Sequence, residues 1–265
     1  MKLYIAGQLR IKTAVDALRE TGSRRGLYSF WDYLRDGCSM DPVFEYYRDE
    51  GEVFLDSGAF SAYTLGAEIS IKEYARFIFR EGLSLYSNLD VIRDEEGTRV
   101  NQKVMEHMGL SPIPVFHLGE TWGYFRELLE RYDYVSLGVA GTQGERRCDE
   151  FLKRCFREVA KAWPKRIHGF GITTQKYLER YPFYSTDSAS AITAAGWGRI
   201  YFWKGKRLVS GDYKDPEVGA GNFSMVDREE GKSEHMERRK NNIRRHLELE
   251  EYITRLWEKR GVSWD

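Results

Sequence analysis

Three aspartates and a histidine stand where apolar runs give way to small or polar residues. Val53-Phe54-Leu55 leads to Asp56 ahead of Ser57-Gly58, and Leu85-Tyr86-Ser87-Asn88-Leu89 leads to Asp90. Tyr181-Pro182-Phe183-Tyr184-Ser185-Thr186 leads to Asp187, and Ile113-Pro114-Val115-Phe116 ends in His117. Side chains of these types at the C-terminal ends of successive strands are what a barrel enzyme uses to build a site on its top face. Should the three carboxylates converge, burial and mutual repulsion would split their pKa values. One then stays ionised and can attack carbon, while another holds a proton and donates it. Each aspartate also has a purely structural reading: a carboxylate before Ser-Gly accepts backbone N–H bonds in a tight turn, and Asp187 before Ser188 suits a helix cap. The combination of three strand ends favours the chemical reading.

His117 and His168 end, or nearly end, apolar runs. A histidine so placed is either a satisfied structural residue or a flat ring offered to a ligand. With no nearby thiolates or second close histidine, no metal site is expected. Gly138 after Tyr134-Val135-Ser136-Leu137 either closes a strand or lets backbone approach a planar ligand. Gly169-Phe170-Gly171 lacks the strand–helix fingerprint of a dinucleotide site, so no cofactor is expected.

The elements that must position these residues alternate. Strands are predicted at 2–6, 52–56, 84–90, 113–117, 133–138, 166–170, 182–186 and 199–203. Helices are predicted at 13–20, 70–81, 97–108, 121–132 and 148–162, with Ser70 to Glu73 forming a capping box and Thr121 an N-cap. Alternation of this kind implies parallel βαβ units in an α/β fold. Eight candidate strands make a single-domain (β/α)8 TIM barrel over 1–226 the first choice, with a doubly wound open sheet as the alternative. Residues 8–50 read as largely irregular, with an aromatic cluster at Tyr28, Phe30, Trp31 and Tyr33 that either covers the site or forms an interface. Residues 227–265 read as a charged helical segment packed on the barrel.

The 265 residues carry 41 basic and 41 acidic side chains, which excludes a globally basic nucleic-acid binder but leaves room for local basic clusters. Three cysteines, Cys38, Cys148 and Cys155, form no disulfide or zinc framework and suit a reducing compartment. No apolar run approaches the roughly 20 residues of a membrane span. A cytoplasmic protein is expected.

Taken in order, these segments resemble the tRNA-guanine transglycosylase superfamily, and most closely its phage-type DNA 7-deazaguanine (preQ0) transglycosylases. The resemblance rests on Phe54-Leu55-Asp56-Ser57-Gly58-Ala59-Phe60-Ser61-Ala62, Asn88-Leu89-Asp90-Val91-Ile92, Pro112-Ile113-Pro114-Val115-Phe116-His117, Ser136-Leu137-Gly138-Val139, His168-Gly169-Phe170-Gly171-Ile172-Thr173 and Tyr181 to Ser188. It implies a (β/α)8 barrel and base exchange at a glycosidic bond. Asp187 matches the nucleophile and Asp56 the general acid/base. Asp90 matches the carboxylate that reads the guanine-like edge. Phe60 and His168 fall where the family sandwiches the base. His117, Gly138, Ser57 and Asn88 fall beside that base.

The last cysteine is Cys155, so the late zinc subdomain of the tRNA enzymes is missing, and Asp56 is followed by Ser-Gly-Ala-Phe-Ser rather than Ser-Gly-Gly, an aromatic and Gln. Both departures favour DNA over tRNA as the partner, together with a free 7-deazaguanine and, in a phage setting, a bacterial host cytoplasm and possible accessory proteins. Phosphate contacts are expected from Arg199, Lys204, Lys206 and Arg207. The stretch Arg238, Arg239, Lys240, Arg244 and Arg245 reads equally as phosphate contacts or as a solvated helix face. Two rivals stand beside base exchange: an N-glycosylase in which water replaces the incoming base, and a non-catalytic barrel that binds a base or nucleic acid.

Overall fold

The architecture comes from a computed structural model, which describes residues 1–7, 12–38, 41–139, 144–215, 218 and 234–264. Strands β1 (Lys2–Ala6), β2 (Arg25–Ser29), β3 (Glu52–Asp56), β4 (Val115–His117), β5 (Tyr134–Gly138), β6 (Arg166–Phe170) and β7 (Ser185–Ser188) form one sheet. Their order is β3-β2-β1-β7-β6-β5-β4, and every pairing is parallel. The first strand therefore lies between the second and the seventh. The intervening helices are the reason the strands can be parallel, because each crossover must return the chain to the same end.

The sequence declares these helices locally. Helix α1 spans Lys12–Thr21, α2 Phe30–Arg35, α3 Pro42–Glu50 and α4 Ala59–Thr64. In α5 (Ile71–Glu81) the Ser70 hydroxyl accepts from the Glu73 N–H, and Tyr74, Phe77 and Ile78 are buried. Helix α6 (Glu95–His107) starts at an Asp94 cap, and α7 (Trp122–Arg131) at a Thr121 cap. Helices α8 (Glu145–Lys161), α9 (Gln175–Arg180) and α10 (Ser190–Gly196) complete the set that covers the sheet.

Eight regular strands in one ring are not what the chain forms. The predicted strand at 84–90 is reduced to two isolated parallel bridges, Tyr86 with Leu55 and Ser87 with Ile113. Those bridges join the two edges of the sheet: Ser87 donates to the Leu55 carbonyl, and Asn88 donates to that of Ile113. The predicted strand at 199–203 leaves the sheet altogether. As β8 (Arg199–Lys204) it pairs antiparallel with β9 (Arg207–Asp212) in a separate hairpin.

In its place the sheet takes up β2, which sequence reading left inside an irregular stretch. Arg25 and Gly26 hide the strand pattern. Yet a Cβ on Gly26 would sit 2.1 Å from the Tyr47 ring, so the glycine lets α3 pack directly on the strand. Of the aromatic cluster beside it, Phe30 and Tyr33 are core, where Phe30 stacks with Tyr33 and touches Tyr74 and Phe77, while half-buried Tyr28 meets Phe44 and faces a cavity at the strand ends.

Buried side chains divide between two faces of the curled sheet. The large cluster lies between sheet and helices and includes Leu3, Val53, Leu55, Phe116, Val135 and Ile167. A smaller one, Tyr4, Phe54 and Ile113 with Leu27, Leu85, Tyr134 and Phe170, occupies the other face. Alternation along each strand separates the two sets.

The long C-terminal helix α11 (Glu234–Lys259) closes the end at which the strands begin. Glu250 accepts from the Leu3 N–H and pairs with Arg25, and Thr254 accepts from the N-terminal ammonium group of Met1. The helix's own Ile243, Leu249 and Ile253 are buried. Among the described residues no helix is long and apolar enough to cross a membrane.

Candidate active site

One cavity of about 510 Å3 collects the C-terminal ends of all seven strands. Ala6, Ser29, Asp56, His117, Gly138 and Phe170 are the last residues of β1 to β6, and Asp187 is the last but one of β7; every one of them lines it. Asp90, just after the bridged segment, lines it too. Asp32 and Asp41, which sequence reading passed over, add two more carboxylates to its wall. Asp32 follows the run Leu27-Tyr28-Ser29-Phe30-Trp31, a signal of the same kind as the one before Asp90, whereas no apolar run precedes Asp41.

Asp56 is held by its own turn. The Gly58 N–H donates to Oδ2 at 3.0 Å, and Gly58 takes φ 77. A Cβ on Gly58 would lie 2.4 Å from that of Trp31, so glycine is required twice over, by conformation and by space. Burial, then the negative charges of Asp90 and Asp187, push the Asp56 pKa up to about 7; the Gly58 N–H opposes them. At neutral pH Asp56 is poised to give or take a proton.

Asp187 is nearly buried, and the Gly171 N–H donates to its Oδ1 at 2.8 Å. Among the described residues its Oδ2 accepts no hydrogen bond, which leaves a carboxylate oxygen free for chemistry. The oriented carboxylate and the proton-holding one thus come from β7 and β3.

Asp90 is fixed by side chains. Its Oδ1 accepts from the Ser57 hydroxyl at 3.0 Å, and its Oδ2 lies 3.0 Å from His117 Nε2. The other imidazole nitrogen lies 3.3 Å from Glu120, whose second oxygen accepts the His117 backbone N–H at 2.7 Å. Burial works against charge on this imidazole, but the hydrogen bonds to Asp90 and Glu120 outweigh it and raise the pKa to about 10. His117 is therefore an imidazolium between two carboxylates. Both nitrogens are engaged, so it has no free N–H to turn toward the cavity and its direct neighbour there is Asp90. Glu120 was not singled out from the sequence; the only signal was its place three residues after His117 in a loop.

Gly138 supports the same group. A Cβ there would stand 2.4 Å from the imidazole, so the ring lies directly against the backbone of β5. Phe60, in the first turn of α4, is 41% exposed and forms part of the cavity wall.

His168 stands behind the wall, with its Nε2 3.5 Å from Asp187 Oδ1. It is fully buried in mid-β6, ringed by Tyr4, Phe54 and Phe170, and does not line the cavity. Its Nδ1 bonds the Ser185 hydroxyl at 2.7 Å, and burial holds its pKa below the ordinary value. The aromatic ring of β6 that reaches the wall is Phe170. Ser57 and Asn88 are likewise buried behind the wall. Ser57 orients Asp90, and the Asn88 amide donates to the Thr98 carbonyl at 2.9 Å.

The basic candidates separate. Lys204 pairs with Arg207 at the tip of the β8–β9 hairpin, whereas Arg199 pairs with Asp212 at its open end. The tip is tied to the start of α9, because Gln175 donates to the Lys206 carbonyl and accepts from the Leu208 N–H. Lys204, Lys206 and Arg207 are exposed there, and Arg199 is bound to Ser210. The stretch 238–245 divides: Arg244 is exposed, as a solvated helix face requires, but other cations of the stretch turn inward. Arg238 and Lys240 are buried, Arg238 on the Ala195 carbonyl and Lys240 on Glu20 and Glu237, and Arg245 pairs with Glu248.

No group of three or more histidine, cysteine or acidic residues arranged to hold a metal ion occurs among the described residues. Neither protein-family models nor curated protein sequences give a match to this chain.

Proposed function

We propose that this chain exchanges guanine in DNA for a 7-deazaguanine base through a covalent aspartyl–sugar intermediate. The observation that carries the reading is the meeting of Asp56, Asp90 and Asp187 in one purine-sized cavity at the C-terminal ends of the strands. We read the curled sheet as a (β/α)8-type barrel whose eighth stave is the bridged segment at Tyr86 and Ser87.

In the first step a carboxylate oxygen of Asp187 attacks C1′, and the electron pair of the C1′–N9 bond leaves with guanine. Protonated Asp56 supplies the proton that neutralises the departing base. In the second step Asp56 takes the N9 proton of the incoming 7-deazaguanine. N9 then attacks C1′ and displaces Asp187. Two displacements retain configuration and replace one difficult step by two easier ones. Asp90, oriented by His117 and Ser57, accepts N–H bonds from the guanine-like edge; a base without those donors leaves its lone pairs unpaired. Phe60 and Phe170 supply planar surfaces at the wall. The target guanine must be unpaired or flipped to enter.

The test is nucleoside mass spectrometry of DNA incubated with the protein and candidate 7-deazaguanines, with tRNA as a parallel substrate. Incorporation into DNA, with a denaturation-stable protein–DNA adduct that Asp187→Asn cannot form, is the expected result. Unmodified deoxyguanosine throughout overturns the proposal. Abasic product without incorporation indicates a glycosylase, and activity that survives Asp187→Ala removes the covalent mechanism.

A further inference from the structure

A second cavity of about 330 Å3 adjoins the first and shares Phe60, Ile92 and His117 with it. Its remaining wall includes Tyr63, Arg93, Glu95, Glu120 and Arg147. Tyr63 is 47% exposed, and the Arg93 guanidinium lies 5.8 Å from the centre of its ring. The two carboxylates are already engaged inside the protein, Glu95 with Arg99 and Thr121 and Glu120 with His117. The two guanidinium groups are not: among the described residues neither Arg93 nor Arg147 pairs with a carboxylate. The groove therefore offers unneutralised positive charge beside exposed aromatic faces.

Arg93 carries a further mark. Its backbone sits at φ 67, in the left-handed region where glycine is at ease and a long side chain is strained. An arginine at such a position, exposed and without a carboxylate partner among the described residues, points to a use for its side chain.

We infer that this groove binds the nucleotide next to the one exchanged, with its base stacked on Tyr63 and its phosphate held by Arg93 and Arg147. The inference rests on the reading that a nucleic-acid strand enters the main cavity, and it says on which side the strand runs. Aromatic faces combined with cations are what recognition of single strands uses, since every base has a π-face and every nucleotide a phosphate. Continuity through Phe60 and His117 places this subsite one step from the reacting sugar.

The test titrates the full chain, Tyr63→Ala and Arg93→Gly with a fluorescein-labelled single-stranded oligodeoxynucleotide containing one guanine, read by anisotropy at several salt concentrations. Binding of free guanine is followed in parallel by calorimetry. Tyr63→Ala is expected to weaken oligonucleotide binding roughly tenfold. Arg93→Gly is expected to weaken it severalfold and to flatten the logarithmic salt dependence by about 0.7, the value of one lost phosphate contact on a single strand. Guanine affinity stays unchanged in both. Arg93→Gly relieves backbone strain, so it keeps the test valid even if Tyr63→Ala proves unstable. Variants that bind the oligonucleotide as tightly as the parent overturn the inference; if the parent still exchanges guanine, the proposed function stands without it. A parent chain that binds guanine but no oligonucleotide overturns both.

Discussion

A carboxyl group that titrates near neutrality can both give and take a proton, and keeping it so costs the fold. Asp56 has a folded-state pKa of about 7, well above the ordinary carboxylate value. As pH rises between those values the unfolded chain loses its proton first, so ionising Asp56 in place destabilises the native state. Asp56→Asn is therefore expected to raise stability above pH 7 by about 1–3 kcal/mol, read from urea unfolding. The same change should slow exchange by roughly 10²–10⁴-fold, since general acid/base catalysis is lost. In the parent, release of the first base is expected to slow as pH climbs through about 7, read from single-turnover guanine release. His117 runs with the opposite sign. Its folded pKa of about 10 lies above the ordinary imidazole value near 6.5, so its ion pairs stabilise fully below that value and fade as pH rises through about 10. Glu120→Gln removes one of the two carboxylates and should move this alkaline loss to lower pH, measured by unfolding between pH 6 and 10. Unchanged alkaline behaviour would show that Glu120 contributes nothing to the charge on His117.

At the scale of elements, the site depends on strands that can be approached closely. Gly138 ends β5, and the His117 ring of the neighbouring β4 lies against it. Gly138→Ala is expected to displace the imidazole, free Asp90 and cost about 1–3 kcal/mol by overpacking. Thermal unfolding together with guanine calorimetry checks both effects, and a variant with parental stability and affinity would refute the contact. The sequence displays the parts of this arrangement unevenly. Asp56, Asp90, Asp187 and His117 were legible because each ends an apolar run, and a strand end is a local property. Capped helices such as α5 and α7 were legible for the same reason. Strand β2 was not, because Gly26 serves the Tyr47 ring of α3, a contact made only after packing. The fate of 199–203 was not either: an apolar run does not say whether its partner is the main sheet or the next segment. His168 looked like a ligand-facing ring, but alternation along β6 turns it into the inner core with Tyr4 and Phe54. Arg238 and Lys240 read as surface charges because sequence shows the cations of α11 and not the Ala195 carbonyl or Glu20 that meet them.

Across the whole molecule the two ends of the strands have opposite tasks. The end that opens into the cavity gathers acidic groups whose charges repel one another. The other end is neutralised and bonded: Lys2 and Tyr4 both reach Glu52, and Glu250 of α11 takes the Leu3 N–H and pairs with Arg25. Net charge is zero, so on the proposed function attraction of a polyanion falls to local clusters of exposed cations, such as Lys204, Lys206 and Arg207 at the hairpin tip. Chemistry and stability are thereby separable in space, as in enzymes whose strand ends divide in the same way. Glu250→Ala tests that separation. It removes a partly buried partner of Arg25 and the acceptor of a backbone N–H, leaving both poorly satisfied. With Arg25 retaining some exposure to solvent, the expected loss is about 1–3 kcal/mol rather than the larger cost of breaking a fully buried pair. Because position 250 meets the strands where they begin, guanine affinity and the pH dependence set by Asp56 should be unaltered at a temperature where the variant is folded. A fall in unfolding free energy with unchanged guanine calorimetry is the expected outcome. A variant that keeps full stability but loses base binding would mean that α11 acts on the cavity through the sheet, and that the division of labour between the two ends does not hold.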